Sequence, residues 1–504
     1  LQPHKHLGLL TLSIALATFM EVLDTSIANV AVPTIAGDLA VSATQGTWVI
    51  SSYSVSSAIA VPLTGWLAKR FGEVRLFLLS VLGFTVMSAL CGLARNIEML
   101  IIGRLLQGLL SGPMVPLSQS ILLRNYPPQS QGLALGLWSM TIVVAPILGP
   151  LLGGWITDNY HWSWIFLINL PIGVFCVGSC KILLKNQETE KVHLPIDTVG
   201  LTLLVIGVGS LQLMLDNGYD LDWFNSNVIL LLGISAVICL GFFVTWTLYE
   251  PNPIVNLQLF KNRNFTVGVL TQTLGFMTFF SSVVIFPLWL QTVMGYPSNW
   301  AGFATAPMGV FALILSPIIG RNIQRVDLRI ICTFAFFVLA FVSFWSTTFT
   351  LNSSFIQLIS PRIMQGIGIS CFFIPLSTMI MGSIPVTQIA QGASLSNFLR
   401  VLSGAIGTTL STTLWNHRAT FHHVVLSESL KSSNPAFVKY IGVLHDLGFT
   451  EKQTNFYLEN LITTQSYMLA TNDIFFLSGI LFLSLLFIIW FAKPITVKAP
   501  VNVH

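Results

Sequence analysis

Arg104-Leu-Leu-Gln107-Gly108, followed by Pro116-Leu-Ser118, returns further along the chain as Arg362-Ile-Met-Gln365-Gly366, followed by Pro375-Leu-Ser377. Pro62-Leu-Thr-Gly65 returns as Pro317-Ile-Ile-Gly320. The arginines stand 258 positions apart, the serines 259 and the glycines 255, so independent strings agree on one repeat. A chain that repeats itself once, at about half its length, is built from two similar units. All of these strings lie in long apolar runs. Repeated halves made of apolar helices are the usual architecture of secondary transporters.

The rest of the 504 residues agrees. The chain is 54% hydrophobic and only 8% charged, with a mean hydropathy of +0.78. A soluble domain carries about 25% charge, so soluble enzymes, nucleic-acid binders and disordered chains are excluded. Fourteen runs are long enough to span a bilayer as helices, from Leu7–Val32 through Ser394–Leu414 to Asp473–Ala492. The first run is too long and too acidic for a signal peptide and is kept as a span. The sequence begins at Leu1 rather than Met, so residues preceding it are expected.

The expected architecture is an all-α polytopic membrane protein: two six-helix bundles with two helices inserted between them. The bundles are residues 1–190 and 261–504, the insert 191–260. Lys and Arg collect at alternate span ends, including Lys5, Lys69, Arg70, Arg75, Arg124, Lys493 and Lys498, whereas the short opposite loops hold only Arg95. This bias puts both termini in the cytoplasm. The long polar stretch 415–472 then lies outside. Asn434-Pro435 and the capping box Thr450-x-x-Gln453 predict that it forms a small helical cap, with Phe437, Ile441 and Leu444 on one face.

The six cysteines lie in apolar runs and read as packing residues. His417, His422 and His423 read as surface residues without acidic partners, so no metal site is expected. No Lys follows a Gly, and no H-E-x-x-H or G-x-S-x-G occurs. Neither an ATPase of the Walker type nor a hydrolase is indicated, and no cofactor is expected.

An ionisable residue at mid-span costs about 2.5–3.5 kcal/mol and needs a reason. Asp24 lies deep in the first span with Glu21 one turn before it, and two carboxyls so close cannot both ionise cheaply. Both are candidate proton sites, and a permanent Asp24 pair with a buried Arg is the alternative. Arg104 either tunes a carboxyl by charge or braces a helix interface. Gln107, Asn29, Asn397, Arg400, Arg362, Phe276 and Phe280 are candidate cavity residues. Gly149-Pro150-Leu-Leu-Gly153-Gly154 combines close-packing glycines with helix-bending prolines.

These strings resemble the major facilitator superfamily (MFS) across nearly the whole chain. Gly65-Trp-Leu-Ala-Lys69-Arg70-Phe-Gly72-Glu-Val-Arg75 is similar to its loop motif between spans two and three, with Lys69 where the family usually has Asp. Arg104-x-x-Gln107-Gly108 resembles its fourth-span proton-transfer motif, and Gly149 through Gly154 its antiporter motif. Leu23-Asp24-Thr25 through Pro33 is similar to the first-span motif of the fourteen-span drug:proton antiporters. The resemblance implies proton-driven multidrug efflux of hydrophobic toxic compounds from the inner membrane of a Gram-negative bacterium. It also implies tripartite assembly with an EmrA-like periplasmic membrane-fusion adaptor and a TolC-like outer-membrane channel. A stand-alone antiporter, or a receptor or channel that transports nothing, are the alternatives.

Overall fold

The computed structural model describes residues 7–127, 130–192, 195–429 and 435–494, and among them the regular structure is helical throughout. Lys5, Asn434 and Lys498 lie outside the described residues. The first half runs through α1 (Leu7–Asp38), α2 (Ala43–Phe71), α3 (Glu73–Gly92), α4 (Ile97–Ser111), α5 (Met114–Asn125), α6 (Gln131–Asn159), α7 (Trp164–Leu167) and α8 (Asn169–Leu183). Helices α4 and α5 are one rod broken at Gly112-Pro113, and α7 and α8 another broken at Ile168. Next come α9 (Thr198–Asn217) and α10 (Asn227–Tyr249), which pack on each other. The second half holds α11 (Arg263–Thr292), α12 (Ser298–Asn322), α13 (Leu328–Ser346), α14 (Phe355–Gly382), α15 (Ile389–Ser429), α16 (Pro435–Asp446) and α17 (Glu451–Ile488).

Among the described residues, twelve helices are long and apolar enough to cross a membrane. The two long rods that fall short are α2 and α15. These two pack on each other across the halves, so their polar faces meet protein rather than lipid. Hydropathy understates helices whose surface is spent on another helix. Fourteen rods between two ends are compatible with this, although the apolar criterion alone yields twelve.

The repeat is visible in three dimensions. The end of the fold that carries Lys69, Arg70 and Arg124, here called the basic end, is closed by two equivalent contacts. At one, a Cβ on Gly65 of α2 would lie 2.9 Å from Gln391 Cγ of α15. At the other, Gly320 of α12, its repeat partner, meets the backbone of Gly132 in α6. Ser394 of α15 donates to the Val61 and Pro62 carbonyls of α2 at 2.8 and 3.1 Å, and Asn397 donates to Gln119 of α5 at 3.1 Å. The backbones of opposite halves approach because glycine leaves room for them.

The segment 415–472 differs from the expected cap. The thirteenth run does not stop at Leu414: α15 continues to Ser429, and α17 starts at Glu451 before entering the last apolar run. The two rods brace each other beyond the apolar zone. Trp415 Nε1 donates to Thr471 at 2.8 Å, and Asp473 accepts from Arg418 at 2.6 Å and pairs with His422 at 2.7 Å. The Thr450–Gln453 capping box forms as expected. Leu444 of α16 is buried, and α16 packs on α17. His422 and His423 do have acidic partners, contrary to expectation, because α17 brings Asp473 and Glu459 to them. Among the described residues no three metal-ligating side chains cluster. All six cysteines are free, and all but Cys239 are buried.

Candidate functional site

A cavity of about 280 Å³ lies between the halves. Glu21 and Thr25 of α1, Tyr53 of α2, Phe280 of α11, and Asn397 and Arg400 of α15 reach it, together with Gln212 from α9. Glu21 and Arg400 are 7% and 6% exposed, so an acidic and a basic group are almost wholly withdrawn from solvent around one space. They interact electrostatically, yet Glu21 Oε2 and Arg400 Nε have no hydrogen-bond partner among the described residues. Buried ionisable groups are normally saturated with hydrogen bonds, and the exceptions call for an explanation. The Arg400 guanidinium lies 5.5 Å from the Phe276 ring and 5.8 Å from that of Phe373. Phe276 itself is buried behind Phe280, 6.0 Å away, and supports the wall without forming it.

Asp24 is placed differently. It is buried one turn further along α1 and turned away from the cavity. There it forms an ion pair with Arg104. Asn169 Nδ2 donates to Asp24 Oδ1 at 3.0 Å, and Gln107 Nε2 donates to the same oxygen at 3.3 Å. Arg104 also donates to Gln107 Oε1 at 2.9 Å and to the Val49 carbonyl at 3.1 Å, and it lies 4.2 Å over the Tyr53 ring. Ser88 accepts from Asn169 and donates to the Phe166 carbonyl. The network joins α1, α2, α3, α4, α7 and α8. These contacts fit both expected roles of Arg104, the charge beside a carboxyl and the brace between helices, and the Asp24–Arg104 pair weighed as an alternative is present.

The second half contains the same device without its acid. Arg362 donates to Gln365 Oε1 at 2.6 Å and lies 4.1 Å over the Phe286 ring, as Arg104 does with Gln107 and Tyr53. Its next partner is Ser282, 80 residues before it, just as Asp24 stands 80 residues before Arg104. Serine thus occupies the position of the carboxylate; Arg362 donates to Gln365, Ser282 and Ser346, while its Nε has no hydrogen-bond partner among the described residues.

Four expected cavity residues lie elsewhere, among them Phe276, which sits behind Phe280. Gln107 and Arg362 are buried in the two networks and do not reach the cavity, because each arginine claims the glutamine three residues on. Asn29 lies two turns beyond Glu21 on α1, where it is exposed. The sequence reading missed Tyr53, Asn169 and Gln212. Asn169 carries a visible signal, an amide in the middle of an apolar run. Gln212 was hidden because α9 counted as an accessory helix.

The glycines of α6 face α1. A Cβ on Gly149 would lie 2.6 Å from Ser26 Cβ, and one on Gly153 would lie 3.0 Å from Ile27, whereas Gly154 meets open space and Pro150 is exposed. Ser26 also donates to the Ala145 carbonyl at 3.3 Å. The string therefore holds α6 against the helix that carries Glu21 and Asp24. Gly149→Leu is expected to force these helices apart and stop turnover, while Gly154→Leu leaves transport near wild type. Transport rates of the two variants check this, and equal rates would contradict it.

At the basic end, Gly72 adopts φ +91°, a conformation that favours glycine, and so turns the chain from α2 into α3. The four free N–H groups of a helix start need acceptors. Glu188, beyond α8, accepts from the N–H of Val74 at 3.0 Å and of Arg75 at 2.8 Å, and Thr189 accepts from Glu73 at 3.0 Å. Glu73 accepts from Ser120 and pairs with Arg124 at 3.3 Å. Arg70 packs 5.3 Å over the Trp66 ring, and the Arg75 side chain is exposed. The motif carries no Asp at Lys69, and Glu73 and Glu188 supply the carboxylates of this turn.

Residues 14–408 match the family model described as Major Facilitator Superfamily. The chain belongs to the Major Facilitator Superfamily. It is a multi-pass membrane transporter rather than an enzyme. The chain is 52% identical to multidrug export protein EmrB of Haemophilus influenzae over 96% of each sequence. It is 49% identical to the EmrB of Escherichia coli K12, over 97% of this chain and 96% of that one. It is also 49% identical to fatty acid resistance protein FarB of Neisseria gonorrhoeae, with the same coverage. The solved structure of the human organic anion transporter MFSD10 (TETRAN) superposes with a TM-score of 0.62, covering 96% of this chain and 99% of that one at 13% identity. At that identity it speaks for the superfamily fold alone.

Proposed function

We propose that this chain is a drug/H⁺ antiporter that exports hydrophobic toxic compounds by alternating access. The observation that carries the reading is the Glu21 carboxyl, buried on the wall of the cavity between the two halves with one oxygen unpartnered. A carboxyl in that position has one oxygen free to gain and lose a proton. The half-identical relatives named multidrug export proteins agree with the direction and the broad substrate class.

In this mechanism the ionised Glu21 accompanies a loaded cavity. A proton arriving from outside neutralises Glu21 as substrate leaves, and its release toward the cytoplasm resets the carrier. The Asp24–Arg104 network holds α1 in register with its neighbours, and Asp24 is a second protonation site whose use requires the ion pair to open. The face of α6 bearing Gly149 and Gly153 transmits the movement of α1. The closed basic end belongs to the state in which the cytoplasm cannot reach the cavity.

Purified protein in proteoliposomes, given a pH gradient and a panel of lipophilic dyes, tests the reading. Gradient-dependent dye accumulation is the expected result. Dye movement indifferent to the gradient would exclude antiport, and no movement at all would favour a receptor or channel.

The setting proposed is the inner membrane of a Gram-negative bacterium with both termini cytoplasmic, as part of a tripartite pump with an EmrA-like adaptor and a TolC-like channel. The braced hairpin of α15 and α17 supports this. Its tip presents Val424, Val425, Leu447 and Phe456 to solvent, more apolar surface than a simple connection needs. Because the stem is continuous with the spans, only the tip can be exchanged safely. Replacing residues 424–456 by a Gly/Ser linker should abolish pull-down of the adaptor and retain transport in liposomes. Retained pull-down would contradict docking, and lost liposome transport would make the tip a lid.

A further inference from the structure

Outside the cavity already described, the insert and α15 flank a second, open-sided space of about 530 Å³, on whose walls Phe224 and Leu410 are exposed. Leu215 lines it from the end of α9, Trp223 and Phe224 from the turn before α10, and Ile406, Leu410 and Thr413 from α15. At 100° per residue these α15 positions lie on a different helix face from Val401, Gly404 and Thr408, which line the first cavity. The two spaces are therefore distinct.

The turn that forms its wall is strained. Asp222 and Trp223 adopt φ +57° and +49° in succession, a conformation that costs non-glycine residues about 1–3 kcal/mol each. It is held by the Trp223 N–H donating to the Gly218 carbonyl at 2.7 Å, with the indole against Gly218. Strain of this kind persists where surrounding contacts enforce it, and here its result is to set the Trp223 indole in the wall. The buried Nε1 of Trp223 and the buried Oγ1 of Thr413 have no hydrogen-bond partner among the described residues. An indole N–H can only donate. What it lacks is an acceptor: Asp222, Asn225, Thr409 and His417 also line the space, but none of them accepts from it, and the remaining walls are apolar.

We propose that this space is a second ligand site, built by the two-helix insert, that takes a lipophile through a carbonyl or ester oxygen accepting from Trp223 Nε1–H and Thr413 Oγ1–H. Leu215, Phe224, Ile406 and Leu410 hold the apolar body. The same chemistry is offered by a diacyl phospholipid and by an exported ketone or ester, and the experiment distinguishes these sources. The inference goes beyond proton coupling and does not depend on it.

The full chain is purified with Cys239→Ser and Leu410→Cys, placing one accessible thiol at the wall, and its rate of maleimide labelling is followed. The probes are prodan, a naphthalene ketone; dihexanoylphosphatidylcholine, a diester lipid; and N-phenyl-1-naphthylamine, of similar apolar size with no acceptor oxygen. Prodan or the lipid should slow labelling, and N-phenyl-1-naphthylamine should not. Protection by prodan alone identifies a site for exported lipophiles, protection by the lipid alone a lipid site, and protection by both a shared one. Adding Trp223→Phe, which keeps a ring and removes the donor, should weaken protection about fivefold, the usual worth of one hydrogen bond. Thr413→Val, which leaves the strained turn untouched, should act in the same direction. Protection by neither oxygen-bearing probe would overturn the proposal. So would equal protection by all three that both substitutions leave unchanged.

Discussion

Glu21→Gln is expected to reduce pH-gradient-driven export to background while the protein remains as stable as wild type to within about 1 kcal/mol. The two side chains have nearly the same shape. The carboxyl oxygen concerned has no hydrogen-bond partner among the described residues, so no bond is lost with it. What disappears is the ability to alternate between charge states beside Arg400. Downhill exchange of substrate across the membrane should persist, because it needs the cavity and the moving halves but not the proton. Transport assays with and without the gradient, alongside a thermal melt, separate these properties. Wild-type coupling in the variant would remove Glu21 from the mechanism.

Arg104→Ala should fail in a different way. Removing one member of a buried pair leaves the other charge uncompensated, at a cost of about 3–5 kcal/mol. Val49, Gln107 and Asp24 would each lose a donor at the same time. The expected outcome is low yield, a lowered melting temperature and no transport. Arg104→Lys keeps the charge but cannot reach all three acceptors with one ammonium, so it should fall between alanine and wild type. Asp24→Asn strands the guanidinium in turn. It should lose stability as well as activity, which distinguishes it from Glu21→Gln. Melting temperature and transport of the three variants check the ordering, and a stable, inactive Asp24→Asn would restore Asp24 as a proton site free of structural duty.

The fold was legible because a bilayer leaves few choices. A chain with so little charge must form long helices, and the repeat of Arg104-x-x-Gln107-Gly108 at Arg362 divides them into halves. The structure gives that repeat a physical meaning, since both arginines lie over an aromatic ring and bond the glutamine three residues on. The site was only partly legible. Helical spacing put Glu21 and Asp24 on neighbouring positions of α1, but not which would face the cavity, because that depends on where α4 and α8 sit. Arg400 and Asn397, expected in the cavity from polarity in an apolar run, line the space between the halves. Gln107 and Arg362 carried the same signal and proved to be bracing groups. A buried polar residue needs a partner in either case, and the sequence does not say whether that partner is protein or ligand. The outer stretch failed differently: its polarity marked an end to the apolar zone, whereas the helices of α15 and α17 run through it.

The most direct test of proton-coupled exchange at Glu21 is to run the carrier backward. Proteoliposomes are loaded with a pH-sensitive dye, and a substrate gradient is applied with no initial pH difference. The account predicts that the substrate gradient drives proton movement in the opposite direction through the wild-type protein, and none through Glu21→Gln. Substrate crossing with no proton movement in the wild type, or equal proton movement in both proteins, would contradict it.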